Sequence, residues 1–289
     1  MFRSRRVLCV KGRDLPHSRH SVAALAAERA HAARGALDAL WAALRYCYPL
    51  LLVLLLWELV ARAGLVRPLF LPTVTTVLEQ FWVLLFEGEI VAPLLVSLYR
   101  AFAGLALAVV FGVLAGLWMA RSKWAHWALD PLVSLGFPAP KIAFVPIFIL
   151  WFGIDHLSKI LLVAFTCVFP MIVATYHGAA AVSRTVIWSA EAMGTSERKL
   201  LSRIIFPAAQ PYIFSGVRVT VPVALIIAFT AEMIAGGGGV GAALMFAQRF
   251  FQTPTVFVYI LVMLATGLVL DLVILRLRHW LIPWDDEAV

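Results

Sequence analysis

Long apolar runs separated by short polar or proline-rich breaks fill the chain from Tyr46 onward. Six have the length of a membrane span: 46–63, 96–120, 131–152, 159–179, 213–234 and 256–275. Each is close to the roughly 20 residues a helix needs to cross the hydrocarbon. Between the first two, 64–93 is punctuated by Pro68, Pro72 and Pro93 and carries Glu79, Glu87 and Glu89. Within it, 73–86 mixes apolar and polar positions too evenly to span and reads as an amphipathic helix at the outer interface.

The second run sets Gly104, Gly112 and Gly116 along one helix, a spacing that predicts close approach of a neighbouring helix. The third carries Pro138, Pro140 and Pro146 around Lys141. Broken helix at membrane depth is tolerated where it faces protein or a water-filled path. Lys141 lies about 15 Å along a helix from Pro131, near the middle of the hydrocarbon. A lysine at that depth marks a functional site, unless the distorted backbone carries it to an end from which it snorkels; the pattern leaves both open.

The longest polar interruption in the second half is 183–218, with Arg184, Arg198, Lys199, Arg203 and Arg218. A helix-forming run from Val186 breaks at Gly194, restarts behind Thr195 and Ser196, and is expected to stop at Pro207, which lacks the donor a helix needs. Two short helices folded at a glycine have the form of a docking device. After the fifth run, Gly236 to Gly239 with Gly241 beyond read as a flexible outer turn or gate.

Composition settles the class. Hydrophobic residues make up 63% of the chain and charged ones 14%, and the mean hydropathy is +0.93, values of an all-α integral membrane protein. The net charge of +8 is explained by its distribution, without nucleic acid. Residues 1–45 form a basic, alanine-rich tail lacking the compact apolar core of a signal peptide; 21–44 reads either as a helix on the cytoplasmic membrane face or as a partly ordered tail. A second tail is 281–289. With the N-terminus inside and six spans, eighteen of the 24 Lys and Arg fall on the cytoplasmic side. Arg62, Arg67, Arg100, Lys159 and Arg249 fall outside, and Lys141 within the membrane. That asymmetry places both termini and 183–218 in the cytoplasm. Cys9, Cys47 and Cys167 give neither a disulfide framework nor a metal cluster.

Catalytic signatures are missing. The seven histidines form no HExxH, there is no GxSxG, and no lysine follows a glycine, which excludes a Walker A phosphate loop. Gly236, Gly238 and Gly241 satisfy GxGxxG, but behind a membrane span rather than a strand. The expectation is a non-enzyme with no cofactor or metal of its own.

The central stretch resembles the EAA loop of permease subunits of binding-protein-dependent ABC importers. That loop has a Glu-Ala-Ala start, a glycine six residues after the Glu and a proline thirteen after the glycine. Gly194 and Pro207 have this spacing. Pro211, Gly216 and Arg218 continue it as in the branch related to nitrate, sulfonate, taurine and bicarbonate importers. PAPKIAFVPIFILWFG at 138–153, with Ser158 and Lys159, and AEMIAGGGGVG from Ala231 are further matches, so the resemblance covers roughly residues 55–280. One departure is plain: the triplet reads Trp188-Ser189-Ala190, and the nearest acid, Glu191, comes one helical turn later.

The resemblance implies a type I ABC importer permease-like bundle over 46–280, in a bacterial inner membrane, with a cytoplasmic coupling helix in a loop at about 183–211. ATPase coupling would fall to Trp188, Ser189, Ala190, Glu191, Gly194, Thr195, Ser196 and Pro207. Two separate ATPase subunits would bind the ATP and Mg, a second copy of the chain would complete the pore as a homodimer, and an extracytoplasmic solute-binding protein would deliver the substrate. Lys141, Pro138, Pro140 and Glu232 are the candidates for the translocation path, with Glu232 open to a second reading as a pairing residue. Lys141, Arg100 and Arg218 suit a small anionic solute such as a sulfonate, taurine or nitrate. The rival is a self-sufficient secondary transporter, which should show matching interrupted helices in two related halves; only the third run is broken.

Overall fold

Every regular element among the described residues of the computed structural model, which cover 41, 45 and 48–281, is helical. The chain divides between Leu65 and Val66 into two units. The described part of the first is helix α1 at 48–62, which carries an i,i+4 ion pair from Arg62 to Glu58 at 2.7 Å. Most of the N-terminal tail, residues 282–289, Cys9 and Cys47 lie outside the described residues.

The second unit runs α2 (Val74–Phe86), α3 (Val91–Arg121), α4 (Lys123–Gly136), a 3₁₀ turn (Lys141–Phe144), α5 (Val145–Phe152), α6 (His156–Ala180), α7 (Arg184–Ala192), α8 (Glu197–Leu200), α9 (Phe206–Ala235), α10 (Val240–Arg249) and α11 (Thr253–Leu281). The helix predicted at 73–86 is α2, capped by the Thr73 side chain, which accepts from the Thr76 amide at 3.2 Å. Among the described residues four helical stretches are long and apolar enough to cross a bilayer: Val91–Arg121, His156–Ala180, Glu197–Ala235 and Thr253–Arg278. The α4–α5 pair makes a fifth if its 95° bend is one broken span. Of the first predicted run, 48–62 is described as helix.

Two expectations change. The third run does not begin at Pro131: α4 starts at Lys123, capped by the Ser122 hydroxyl, which accepts from the Ala125 amide at 3.3 Å, and Pro131 sits inside it. Pro138 and Pro140, two residues apart, remove two donors within one turn, and the chain leaves the helix there and bends. Pro146 falls in the first turn of α5, where a missing donor costs nothing. Lys141 therefore stands at a bend, and a depth counted along a straight helix does not apply to it.

Nor does Pro207 stop a helix. Residues Glu197–Ala235 form one continuous helical stretch, with a π turn at Leu201–Ile205 directly ahead of the proline. The Phe206 amide reaches back five residues to the Leu201 carbonyl. This wider turn shifts the ladder where Pro207 has no hydrogen to give, so the helix passes through.

The core of this unit is the packing of α3 on α6 and of α6 on α9. Glycines set its closeness. A Cβ at Gly104 would lie 2.6 Å from that of Val163, one at Gly112 2.5 Å from that of Met171, and one at Gly116 2.6 Å from that of Thr175. On the other side of α6, a Cβ at Gly216 would lie 2.6 Å from that of Ala174. In a bilayer, where lipid is as apolar as leucine, such close contact replaces the hydrophobic effect as the source of helix association. The neighbour predicted for the Gly104–Gly116 stripe is thus α6.

Gly112→Ala should lower the thermal unfolding midpoint of the purified full chain in detergent, with an overpacking cost of about 1–3 kcal/mol. Gly267→Ala on α11, where a Cβ would meet nothing within 4 Å, should leave the midpoint in place.

Candidate functional site

Two polar constellations stand at opposite ends of α3. At its C-terminal end α7 and α8 fold against each other at Gly194, whose φ of +78° is the left-handed conformation that glycine adopts without strain. The turn is closed by the Thr195 amide, which donates to the Ala190 carbonyl at 3.0 Å, a helix end of the Schellman kind. One face of this hairpin is rooted. Ala190, Leu200 and Ile205 are buried with Leu117 of α3, Ala179 of α6 and Ala209 of α9. The opposite face is open, with Trp188 63% and Met193 78% exposed.

Of the residues predicted for coupling, Trp188, Ser189, Glu191, Gly194, Ser196 and Pro207 are exposed, Thr195 is half-buried, and Ala190 points into the root. A residue that sequence reasoning left aside joins them. Arg121, the last residue of α3, lies 3.1 Å from the Glu197 carboxylate and 4.0 Å from that of Glu191. It ties α3 to both arms of the hairpin. Its partners are 70 and more residues away along the chain, so no local pattern announces the link.

At the other end of α3, Arg100 and Glu232 are both fully buried and face each other at 2.8 Å. Arg100 also donates to the carbonyls of Gly238 and Gly237, each at 2.7 Å, and through Nε to His156 Nδ1 at 3.2 Å. The other carboxylate oxygen of Glu232 accepts from Ser97 Oγ at 2.7 Å and from the Gly241 amide at 3.1 Å, while Ser97 Oγ accepts from the Val240 amide at 2.9 Å. Lys159 closes the group by donating to the Ile154 carbonyl at 2.5 Å. The glycine run, expected as a flexible turn, is held by this knot. Gly237, Gly238 and Gly239 have φ of +76°, +81° and +96°, and a Cβ at Gly239 would overlap the Glu232 carboxylate. Gly237 and Gly239 leave room for buried charges, and the positive φ of the run is the conformation glycine adopts without strain.

The four residues predicted for a translocation path are not brought together. Glu232 is engaged in the knot. Lys141 Nζ donates to the Phe137 carbonyl at the end of α4 and lies 5.8 and 5.4 Å from the ring centroids of Phe137 and Phe169, with Pro138 and Pro140 forming the bend beside it. Phe169 is ten residues beyond Lys159 on α6, which places the Lys141 head about 15 Å along that helix from the knot.

Residues 108–283 match the family described as the binding-protein-dependent transport system inner membrane component. The chain is 32% identical over 235 residues to the aliphatic sulfonates transport permease protein SsuC of Bacillus subtilis (strain 168), covering 81% of this chain and 85% of that one. It is 32% identical over 244 residues to the taurine transport system permease protein TauC of Escherichia coli (strain K12), covering 83% and 89%. Among solved structures, a chain of the MetNI methionine ABC transporter in inward-facing conformations shares the fold, with a TM-score of 0.52 at 14% identity over 64% of this chain and 90% of that one.

Glu232→Ala would leave Arg100 buried without its counter-charge, a loss of about 3–5 kcal/mol. The thermal midpoint of the purified full chain should fall accordingly, and the double variant Arg100→Met/Glu232→Met should recover most of the loss.

Proposed function

Because the chain belongs to the binding-protein-dependent transport system inner membrane component family, we propose that it forms the path for a small anionic solute of the sulfonate class and takes its driving force through the α7–α8 hairpin. As an ABC importer permease it is a transport component and not an enzyme, and its family works with an ATPase and a substrate-binding protein. The observation that carries the proposal is the two-faced hairpin: rooted on α3, α6 and α9, open on the side that Trp188 and Met193 occupy. The charge asymmetry along the chain puts that open face, and both termini, in the cytoplasm.

Two ATPase subunits, holding ATP and Mg, dock on two copies of this chain. A push on the hairpin passes through Arg121 into α3 and through the continuous stretch Glu197–Ala235 into α9. That stretch of 39 residues is a lever roughly 55–60 Å long. Its far end carries Glu232, so a push at the nucleotide side turns the lever about the knot at the opposite surface. Alternating access follows as a shift between two arrangements of the spans, each favoured by one state of the ATPase pair. The relatives SsuC and TauC are named for aliphatic sulfonates and taurine, and both solutes carry a sulfonate anion. Lys141 is the cation at the α4–α5 bend, suited to meet such a group in passage.

Ser196→Cys in the full chain, co-expressed with the ATPase of its own system, should crosslink to that ATPase. Transport by the purified chain alone in liposomes without ATP would overturn the proposal in favour of a secondary transporter. Lys141→Met should cut uptake about tenfold, equivalent to roughly 1.4 kcal/mol, with copurification of the ATPase unchanged. Undiminished uptake would leave Lys141 as a cap on α4.

A further inference from the structure

The hairpin's open face has a chemistry of its own. Its large exposed apolar side chains are Trp188, Met193 beside Gly194 and, less so, Val186, while Ile187, Ala190 and Leu200 are used up in the root. Its two acids, Glu191 and Glu197, both face Arg121. Its cations do the reverse: Arg184, Arg198, Lys199 and Arg203 are exposed and make no ion pair among the described residues. Arg184 lies one turn ahead of Trp188 on the same face of α7. The exposed surface therefore carries an aromatic and a thioether side chain and four unpaired positive charges, while its two acids, though still exposed, are each paired with Arg121.

We infer that the docking socket on the ATPase partner is apolar at its centre, where it receives Trp188 and Met193, and acidic at its rim, where it meets Arg184, Arg198, Lys199 and Arg203. The inference rests on the docking role proposed for the hairpin and adds the chemistry of the contact. Tryptophan is the side chain that most often anchors such a pocket, because it buries a large rigid surface at little conformational cost. The cations around it add attraction at the rim, felt as association rate and salt dependence. At position 188 a carboxylate would have to be desolvated against an acidic rim, so this docking surface is tuned away from a socket built for an acid. Arg121 is a positioning residue: by pairing with Glu191 and Glu197 it offsets their charge and leaves the four cations in excess on this face.

The test uses the full chain in phosphatidylcholine nanodiscs with its co-expressed ATPase, reading the ATPase retained at increasing NaCl, with the Ser196→Cys crosslink as an independent measure of docking. Trp188→Ala should reduce retention by about tenfold or more, the loss expected for truncating a buried aromatic anchor. Trp188→Glu should reduce it further, and Arg184→Glu/Lys199→Glu should weaken retention at low salt and flatten its salt dependence. Retention by Trp188→Glu equal to or above that of Trp188→Ala would overturn the apolar socket. Two further results would separate the possible failures. If Ser196→Cys crosslinks normally while all Trp188 variants retain the ATPase, docking stands and the socket falls; if Ser196→Cys captures no ATPase, docking falls and takes the socket with it. A fraction of the brominated-lipid quenching that is lost in Trp188→Phe, against the background of the chain's other tryptophans, would put the ring in the membrane and also overturn the inference.

Discussion

Arginine and glutamate side chains buried completely at one end of a membrane bundle cost several kcal/mol each to dehydrate, and the Arg100–Glu232 pair is tolerable only because nearly every lone pair and proton around it finds a partner. Satisfying those groups dictates much else. Arg100 needs two carbonyls, which the chain supplies from Gly237 and Gly238; Glu232 needs a hydroxyl and an amide, which come from Ser97 and Gly241. A Cβ at Gly239 would overlap the Glu232 carboxylate and one at Gly237 would crowd the Lys159 ammonium, while Gly238 is called for by its φ of +81°, so the glycine run is fitted to the charges. The result is that α3, α9 and the start of α10 share one fixed point, with α6 joined to it through His156.

From that point two helices run to the hairpin. Arg100 and Arg121 are 21 residues apart on α3, which is about 32 Å of helix. That matches the hydrocarbon thickness of roughly 30 Å and sets the two charged ends at the two surfaces of a bilayer. α9 makes the same crossing from the other side of the bundle, with the hairpin at its start and Glu232 near its end. Each helix is therefore gripped at both ends by ionic contacts and clamped to α6 between them: at Gly104, Gly112 and Gly116 on α3, and at Gly216 on α9. Arg121 and Arg100 use the same chemistry to different effect. The first is partly hydrated and can exchange partners at little cost; the second is dry and cannot.

Much of this was legible in the sequence. The apolar runs, the amphipathic helix at 73–86, the glycine stripe of α3 and the fold at Gly194 are all local patterns with a local cause. The errors came from prolines. Pro207 was expected to end a helix because the rule for a regular α-ladder was applied to a segment that turns out to be π, and a π turn leaves no local trace. Pro131 marks no helix start either, since it lies inside α4, while the break read at Pro138 and Pro140 is there and only its 95° angle has no local signal. The knot and the Arg121 strap escaped for a different reason. Each joins residues more than 50 positions apart, and a single sequence carries no signal for such pairs beyond the presence of charge in oil. Arg100 and Glu232 did raise that signal separately; only packing shows that they answer each other.

The distribution of regular and irregular backbone then constrains where the bundle can yield. Along α3 the helical ladder is unbroken between its two arginines and is wedged against α6 at contacts too tight for one added methyl group, so bending there would meet steric resistance over its whole length. The ladder is interrupted at the π turn of Leu201–Ile205, where the hairpin meets α9, and at the 137–140 bend, where α4 hands over to α5 beside Lys141. Backbone that already departs from the α-ladder loses fewer hydrogen bonds when it moves, and both places lie outside the Gly104–Gly116 stripe, although Gly136 beside the bend packs directly on the Phe169 ring. A tilt imposed on the hairpin is accordingly absorbed at the π turn or transmitted whole along α9, and a change at the bend displaces Lys141 without disturbing the knot. The fixed point at Arg100 and Glu232 is what makes this division possible, because a lever needs one end that does not give.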